Sequence, residues 1–188
     1  MLRLPFAALA ALPAVVGAQP PAAQQIAAAV LPLPTEFRAS ATVLGYGADG
    51  KLGTLRGGAG PYVCLAADPK RTDFHVACYH RSLEPFMARG RALRAQGVTG
   101  ERVDSARFAE AKAGTLRMPT QAAALYSLTG GSFDAATGAA TGARPLYVVY
   151  MPGATPESTG LPAQPAQGTP WLMFPGTPKA HIMFVPRM

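Results

Sequence analysis

Apolar and polar positions alternate in short stretches between residues 40 and 80, a spacing typical of strands with one buried face. Two of these stretches lie within "ASATVLGYGADGKLGTLRGG", where the dipeptide Asp49-Gly50 favours a hairpin turn between them. Two further strands are predicted in "PYVCLAAD" and "DFHVACYH", which are joined by a Pro-Lys-Arg-Thr loop. The pattern thus predicts two strand pairs in this part of the chain.

From residue 82 the apolar positions change to helical spacing. The positions that recur at this spacing are Leu83, Phe86, Met87 and Leu93. Ser82 is the predicted N-cap of this helix, and Gly97 follows its end. A second helix is predicted within "ERVDSARFAEAKAG", with Gly114 at its end.

Strands return in the last third of the chain. "AAALYSLTG" and "RPLYVVYM" are predicted strands, whereas "GSFDAATGAATGA" between them has no periodicity and is predicted to be a loop. A long proline-rich loop over residues 152–170 leads to two short strands around Gly176-Thr177-Pro178. Strands, then helices, then strands predict an α+β fold, with a mostly antiparallel sheet and about two helices inserted mid-chain.

The first 18 residues have the layout of a secretory signal peptide: Arg3, an apolar run from Leu4 to Val16, and small residues before Gln19. The run is shorter than the roughly 20 residues of a membrane-spanning helix. Residues 19–34 form a lead-in rich in proline and alanine, and residues 35–188 are predicted to form a single domain. The mature protein is therefore expected to be soluble, and periplasmic or secreted.

Cys64 and Cys78 are the two cysteines of the chain, and they lie on neighbouring predicted strands. Cysteines of an exported protein usually pair, so we expect a disulfide between them. The alternatives fit less well, because zinc sites usually show C-x₂₋₄-C spacing and redox pairs show C-x-x-C.

Basic residues outnumber acidic ones by 17 to 10, giving a formal net charge of +7, which falls by one when Arg3 is removed with the signal peptide. A positive charge favours anionic partners, such as an anionic envelope component. The densest group, Arg81, Arg89, Arg91 and Arg94, does not form one stripe along a helix. Binding of nucleic acid, which needs a clustered basic patch, is therefore not expected.

The chain contains no G-x-S-x-G, H-E-x-x-H or phosphate-cradling glycine motif, so no enzyme class, catalytic residue or cofactor is predicted. A hydrolase with dispersed carboxylates stays open as an alternative. Another alternative is a periplasmic metal or haem site formed by His80 and His181 with Met173 or Met183, since imidazole and thioether ligands suit copper. Equally, hydrogen bonds can satisfy these histidines while the methionines fill gaps in the core.

The leading hypothesis is a non-enzymatic binding or envelope-associated protein. The residues proposed to line its ligand site are Tyr126, Tyr147, Tyr150, Trp171 and His181. Tyrosine and tryptophan give a pocket apolar area together with a polar group, although the same residues can simply belong to the core. Because long loops of compact domains are often functional, the loop over residues 152–170 is expected to border this groove.

The stretch "TPWLMFPGTPKAHIMF", together with Cys64 and Cys78, resembles a family of exported bacterial proteins of unknown function. Members are similar in having a signal peptide, one early cysteine pair, and an ending like P-W-x-M-x-x-G-T-P-x-A-H-I-M. The resemblance covers most of the mature chain and is sharpest from Pro170 to Met183. It implies a shared fold and export, and it implies no activity.

Overall fold

The structure is a computed structural model that describes residues 19–165 and 168–186. The signal peptide predicted over residues 1–18 lies outside the described residues. The elements, in chain order, are α1 (Ala22–Ala29), α2 (Thr35–Arg38), β1 (Thr42–Tyr46), β2 (Leu52–Arg56), β3 (Tyr62–Leu65), β4 (His75–His80), α3 (Glu84–Ala95), α4 (Glu101–Lys112), β5 (Ala123–Thr129), β6 (Ser132–Asp134), β7 (Ala139–Thr141), β8 (Arg144–Tyr150), α5 (Pro156–Thr159), β9 (Trp171–Met173) and β10 (His181–Phe184).

Eight strands form one sheet in the order β2-β1-β3-β4-β5-β8-β10-β9, and β6 and β7 form a separate hairpin. Strands β1 and β3 run parallel, while the other neighbouring strands of the large sheet are antiparallel. The mid-chain helices α3 and α4 follow the fourth strand, as the change of apolar spacing predicted. The predicted α+β class is confirmed.

Strand register assigns each side chain to one of two faces of the sheet, because successive residues of a strand point to opposite sides. We call the front face the one that carries Tyr79, Leu125, Val148 and Met183, which are register partners across β4, β5, β8 and β10. It packs against apolar side chains of the two mid-chain helices, such as Phe86 of α3. The back face is the opposite one, and its corresponding row is Cys78, Tyr126, Tyr147 and Phe184.

The lead-in over residues 19–34 covers part of the back face. Ala29 and Leu33 are buried in the same cluster as Val43 of β1. The Gln25 amide both donates to the Tyr46 carbonyl (2.9 Å) and accepts from the Tyr46 backbone N–H (2.8 Å). A side-chain amide thus pairs with the backbone at the end of β1, and the lead-in shares its core with the residues that follow Thr35.

The connection from β2 to β3 crosses the start of β1 with very little clearance. A Cβ atom at Gly58 would lie 2.2 Å from the carbonyl oxygen of Ser40, closer than atoms can approach. The Gly60 N–H donates to that same carbonyl at 2.8 Å. Glycine is therefore required here by the approach of two backbones, which lets β3 lie beside β1 and parallel to it.

The β6–β7 hairpin and the four-residue helices α2 and α5 were not predicted from the sequence. The stretch "GSFDAATGAATGA", predicted to be a loop, contains the antiparallel β6–β7 hairpin. Its turn is held by the Asp134 carboxylate, which accepts from the Ala136 N–H (2.8 Å) and from the Thr137 hydroxyl (2.9 Å). The prediction was wrong because turn chemistry and backbone pairing, rather than apolar alternation, define these three-residue strands.

None of the helices in the part of the chain that the structure describes has the length and apolar character needed to cross a membrane.

Candidate functional site

The disulfide between Cys64 and Cys78 is confirmed. The two residues are register partners on β3 and β4, with Cα atoms 4.0 Å apart. Both are fully buried on the back face, and the Cys78 sulfur lies 3.1 Å from the carbonyl oxygen of Ala29 in α1. The bond therefore links two adjacent strands directly beneath the lead-in helix.

The two histidines of the proposed metal site are not brought together. His80 lies at the end of β4, where its position in the register belongs to the back face, whereas His181 belongs to the front face of β10. Two strands, β5 and β8, separate them. Of the proposed methionines, Met173 is the register partner of His181, and Met183 lies two residues further along β10. In residues 19–165 and 168–186, no group of three histidine, cysteine or carboxylate side chains is placed to hold a metal ion.

His181 is buried against aromatic rings. Its ring centroid lies 4.9 Å from that of Tyr150 and 5.7 Å from that of Phe174. Nδ1 lies 2.7 Å from the Lys179 carbonyl oxygen, and since a carbonyl can only accept, Nδ1 carries the proton. Burial lowers the pKa of His181; the hydrogen bond to the Lys179 carbonyl opposes this shift, and the positive charge of Lys179 adds to it. Burial likewise raises the pKa of Tyr150 to about 12.

Beside this histidine, α4 and the turn before β10 are joined by ion pairs. The Asp104 carboxylate accepts from Lys179 Nζ at 2.8 Å and from Arg107 Nη2. Burial raises the pKa of Asp104, but the bonds from Lys179 and Arg107 outweigh it, and the pKa lies below the ordinary carboxyl value. Arg107 is 4% exposed and its guanidinium carbon lies 3.8 Å from the centre of the Phe86 ring. The two cations share one carboxylate, and the pair from Lys179 fastens the turn to the helix.

The five residues proposed to line a ligand site divide between the two faces of the sheet. Tyr150, Trp171 and His181 belong to the front face, where the strands pack against the mid-chain helices. Tyr126 and Tyr147 belong to the back face, as register partners on the central strands β5 and β8. Tyr126 and Tyr147 line an open cavity on that face.

The back face carries a row of aromatic rings that is only partly covered. The rings of Tyr62 and Tyr126 lie 5.8 Å apart, and those of Tyr126 and Tyr147 lie 5.6 Å apart, both edge to face. Tyr147 is 41% exposed and Phe184, its register partner on β10, is 38% exposed. A cavity of about 360 Å³ opens above this row, and we call it the aromatic groove. Its lining residues are Leu31, Pro32, Leu33, Pro34, Arg38, Tyr126, Leu128, Pro145 and Tyr147.

The wall of the aromatic groove differs from the one expected. The described residues of the loop, 152–165 and 168–170, do not line it. Instead Ala154 and Leu161 pack with Leu172 and Ile182 over the back face of β9 and β10. The wall is formed by residues 31–34 of the lead-in, and these were missed by the sequence analysis. The available signal was the pair of leucines in "LPLP", where the prolines cannot continue α1 and the chain instead turns, which buries Leu33.

Comparisons of the chain with protein-family models, with curated proteins and with solved structures found no match.

Proposed function

We propose that this chain is an exported, non-enzymatic binding protein whose ligand site is the aromatic groove. The signal-peptide pattern of residues 1–18 and the Cys64–Cys78 disulfide support export, because disulfides persist in oxidising compartments. The hypothesis concerns the back face alone, since the groups around His181 on the front face are taken up by packing and ion pairs.

The observation that carries this proposal is the incomplete cover of a central part of the sheet. Tyr147 lies on β8, an inner strand, yet it is more exposed than a core residue of such a strand would be. An exposed apolar patch on a folded domain commonly marks a binding surface. The volume of about 360 Å³ also falls within the range of small-molecule sites, about 300–1,000 Å³.

The charge around the groove favours a ligand that combines an apolar portion with an anionic group. Arg38 lines the groove, and among its lining residues there is no carboxylate. The Arg38 Nε and Nη2 atoms donate to the carbonyls of Leu33 (2.8 Å) and Leu31 (2.9 Å), which fixes the guanidinium beside the apolar floor. An amphiphile of the bacterial envelope with an anionic head group has this chemistry, and the excess of basic residues would attract it.

The test is a calorimetric titration of the mature protein with dodecanoate, and with uncharged dodecyl maltoside for comparison. Tyr147→Ala removes an exposed ring, so the fold should survive while affinity for both probes falls about tenfold, the effect of roughly 1.5 kcal/mol of lost apolar contact. Phe133→Ala is the matched control, because it removes an aromatic ring on the β6–β7 hairpin, outside the groove.

Dodecanoate should bind more tightly than the uncharged probe, and this advantage should shrink at high salt. Equal losses in Tyr147→Ala and Phe133→Ala, or no saturable binding of either probe, would contradict the proposal.

A further inference from the structure

We propose that a second cleft of this protein is a binding site for an oxyanion such as a phosphate group. The cleft, here called the basic cleft, has a volume of about 750 Å³ and lies between the end of β4 and the segment that leads into β5. Its polar lining residues are His80, Arg81, Ser82, Arg117, Thr120 and Gln121. The inference does not depend on the aromatic groove, which shares none of these residues.

Arg81 is held in place before any ligand arrives. Its Nη2 atom donates to the carbonyls of Gly58 (2.8 Å) and Gly60 (2.9 Å) and to the Thr42 hydroxyl (3.1 Å). Its Nε atom donates to Gly60 as well, at 3.2 Å. Within residues 19–165 and 168–186, Nη1 has no hydrogen-bond partner, and a guanidinium that is already fixed loses little conformational freedom on binding.

His80 adds a second oriented donor. The backbone N–H of Ser82 donates to His80 Nδ1 at 3.3 Å, so Nδ1 is unprotonated in this arrangement and the ring proton sits on Nε2. The Ser82 hydroxyl also contacts Nδ1, at 2.8 Å. The ring meets Tyr62 edge to face at 5.9 Å, which fixes its plane. The predicted cap was wrong: Ser82 lies in a 3-10 turn over Arg81–Leu83 that His80 caps, and Leu83 is the residue before α3.

The positive charge of the cleft is not neutralised by the described part of the chain. Neither Arg81 nor Arg117 forms an ion pair there, and no carboxylate lines the cleft. Glu84, at the start of α3, is engaged elsewhere: one oxygen accepts from Tyr79 and the other from Arg91 at 2.6 Å. Two arginines and a histidine therefore line one cleft together with Thr120 and Gln121. Guanidinium groups of this kind bind the oxygens of phosphate in pairs.

The experiment is an amide NMR titration of the mature protein with inorganic phosphate, at an ionic strength held constant with sodium chloride. We expect saturable shifts confined to residues 80–82 and 117–122. Arg117→Gln should weaken binding about tenfold, the effect of one lost charge-assisted contact. Arg102→Gln, an exposed change of the same charge on α4, should leave the affinity within about twofold.

A second pair of variants keeps both arginines. Gln121→Glu places a carboxylate in the cleft and should abolish the shifts, while Gln164→Glu, on an exposed loop outside the cleft, should not. Shifts without saturation, or equal effects of Arg117→Gln and Arg102→Gln, would overturn the proposal by showing only non-specific attraction of anions.

The source of the oxyanion is separated by two further titrations, with glycerol 3-phosphate and with phosphatidylglycerol vesicles. Tighter binding of the soluble ester than of inorganic phosphate would support a free phosphate ester as the ligand. If instead the amide signals of residues 80–82 and 117–122 disappear with vesicles but do not respond to glycerol 3-phosphate, and Gln121→Glu restores them, the ligand is a lipid head group. Because dodecanoate and phosphate are different probes on different residues, failure of this site leaves the test of the aromatic groove intact.

Discussion

Reduction of the Cys64–Cys78 disulfide should destabilise the protein by about 3 kcal/mol. The two cysteines are 14 residues apart, and closing a loop of this length removes about 3 kcal/mol of chain entropy from the unfolded state. Both sulfurs are fully buried, so reduction leaves two thiols in the same space and opens no large cavity. The Cys78 thiol could then donate weakly to the Ala29 carbonyl, 3.1 Å away, which would offset a small part of the loss.

The assay is urea unfolding of the oxidised and the reduced protein, followed by circular dichroism and by the fluorescence of Trp171, the single tryptophan. At about 2–4 °C per kcal/mol for a domain of this size, the same loss should lower the melting temperature by roughly 6–12 °C. The double variant Cys64→Ala, Cys78→Ala should lose more than reduction does, because it also leaves the volume of two sulfur atoms empty. A loss on reduction below about 1 kcal/mol would refute the chain-entropy reasoning at this site.

Two other predictions concern buried polar groups. Burial holds the pKa of His181 below 6.5, so below that pH the unfolded chain binds a proton that the folded chain does not. The free energy of unfolding should therefore fall as the pH drops below 6.5. His181→Phe should remove part of that fall. Burial also lowers the pKa of His75, so both histidines contribute to the pH dependence of the wild type. The measurement is therefore urea unfolding of wild type and His181→Phe at several pH values. Identical dependence of the free energy of unfolding on pH in the two proteins would contradict the prediction. Glu84→Ala should cost about 1–3 kcal/mol in urea unfolding, because the hydroxyl of the buried Tyr79 and the Arg91 guanidinium both lose a partner. In a Tyr79→Phe background the cost should shrink, and an undiminished cost would show that the three groups are not coupled.

Local patterns in the sequence were sufficient for much of the fold. The strands around Asp49-Gly50 became β1 and β2, and the strands that carry Cys64 and Cys78 became β3 and β4. The apolar spacing after residue 82 gave α3, and the helix predicted within "ERVDSARFAEAKAG" is α4. These elements were predictable because turn residues and apolar periodicity act between neighbours in the chain.

The candidate sites depended on contacts that no local pattern contains. The alternation of side chains along a strand predicts that His181 and Met183 lie on the same side of β10. It does not predict whether that side belongs to the front or the back face of the sheet. The assignment needs the order and register of β4, β5, β8 and β10, and these place His80 on the opposite side. The same register separates Tyr147 from Tyr150, although both lie on one strand and were proposed for one site.

By itself, then, the sequence determined the fold class, most of its elements, the disulfide, and the expectation of export. Only the tertiary structure placed the lead-in over the back face, where its prolines line a groove with Tyr126 and Tyr147. It also brought Arg81 and Arg117 to one cleft. The physical reason is the range of the interactions. Turns, caps and periodicity are fixed within a few residues, whereas a groove or a cleft forms only where strands and segments distant in sequence pack side by side.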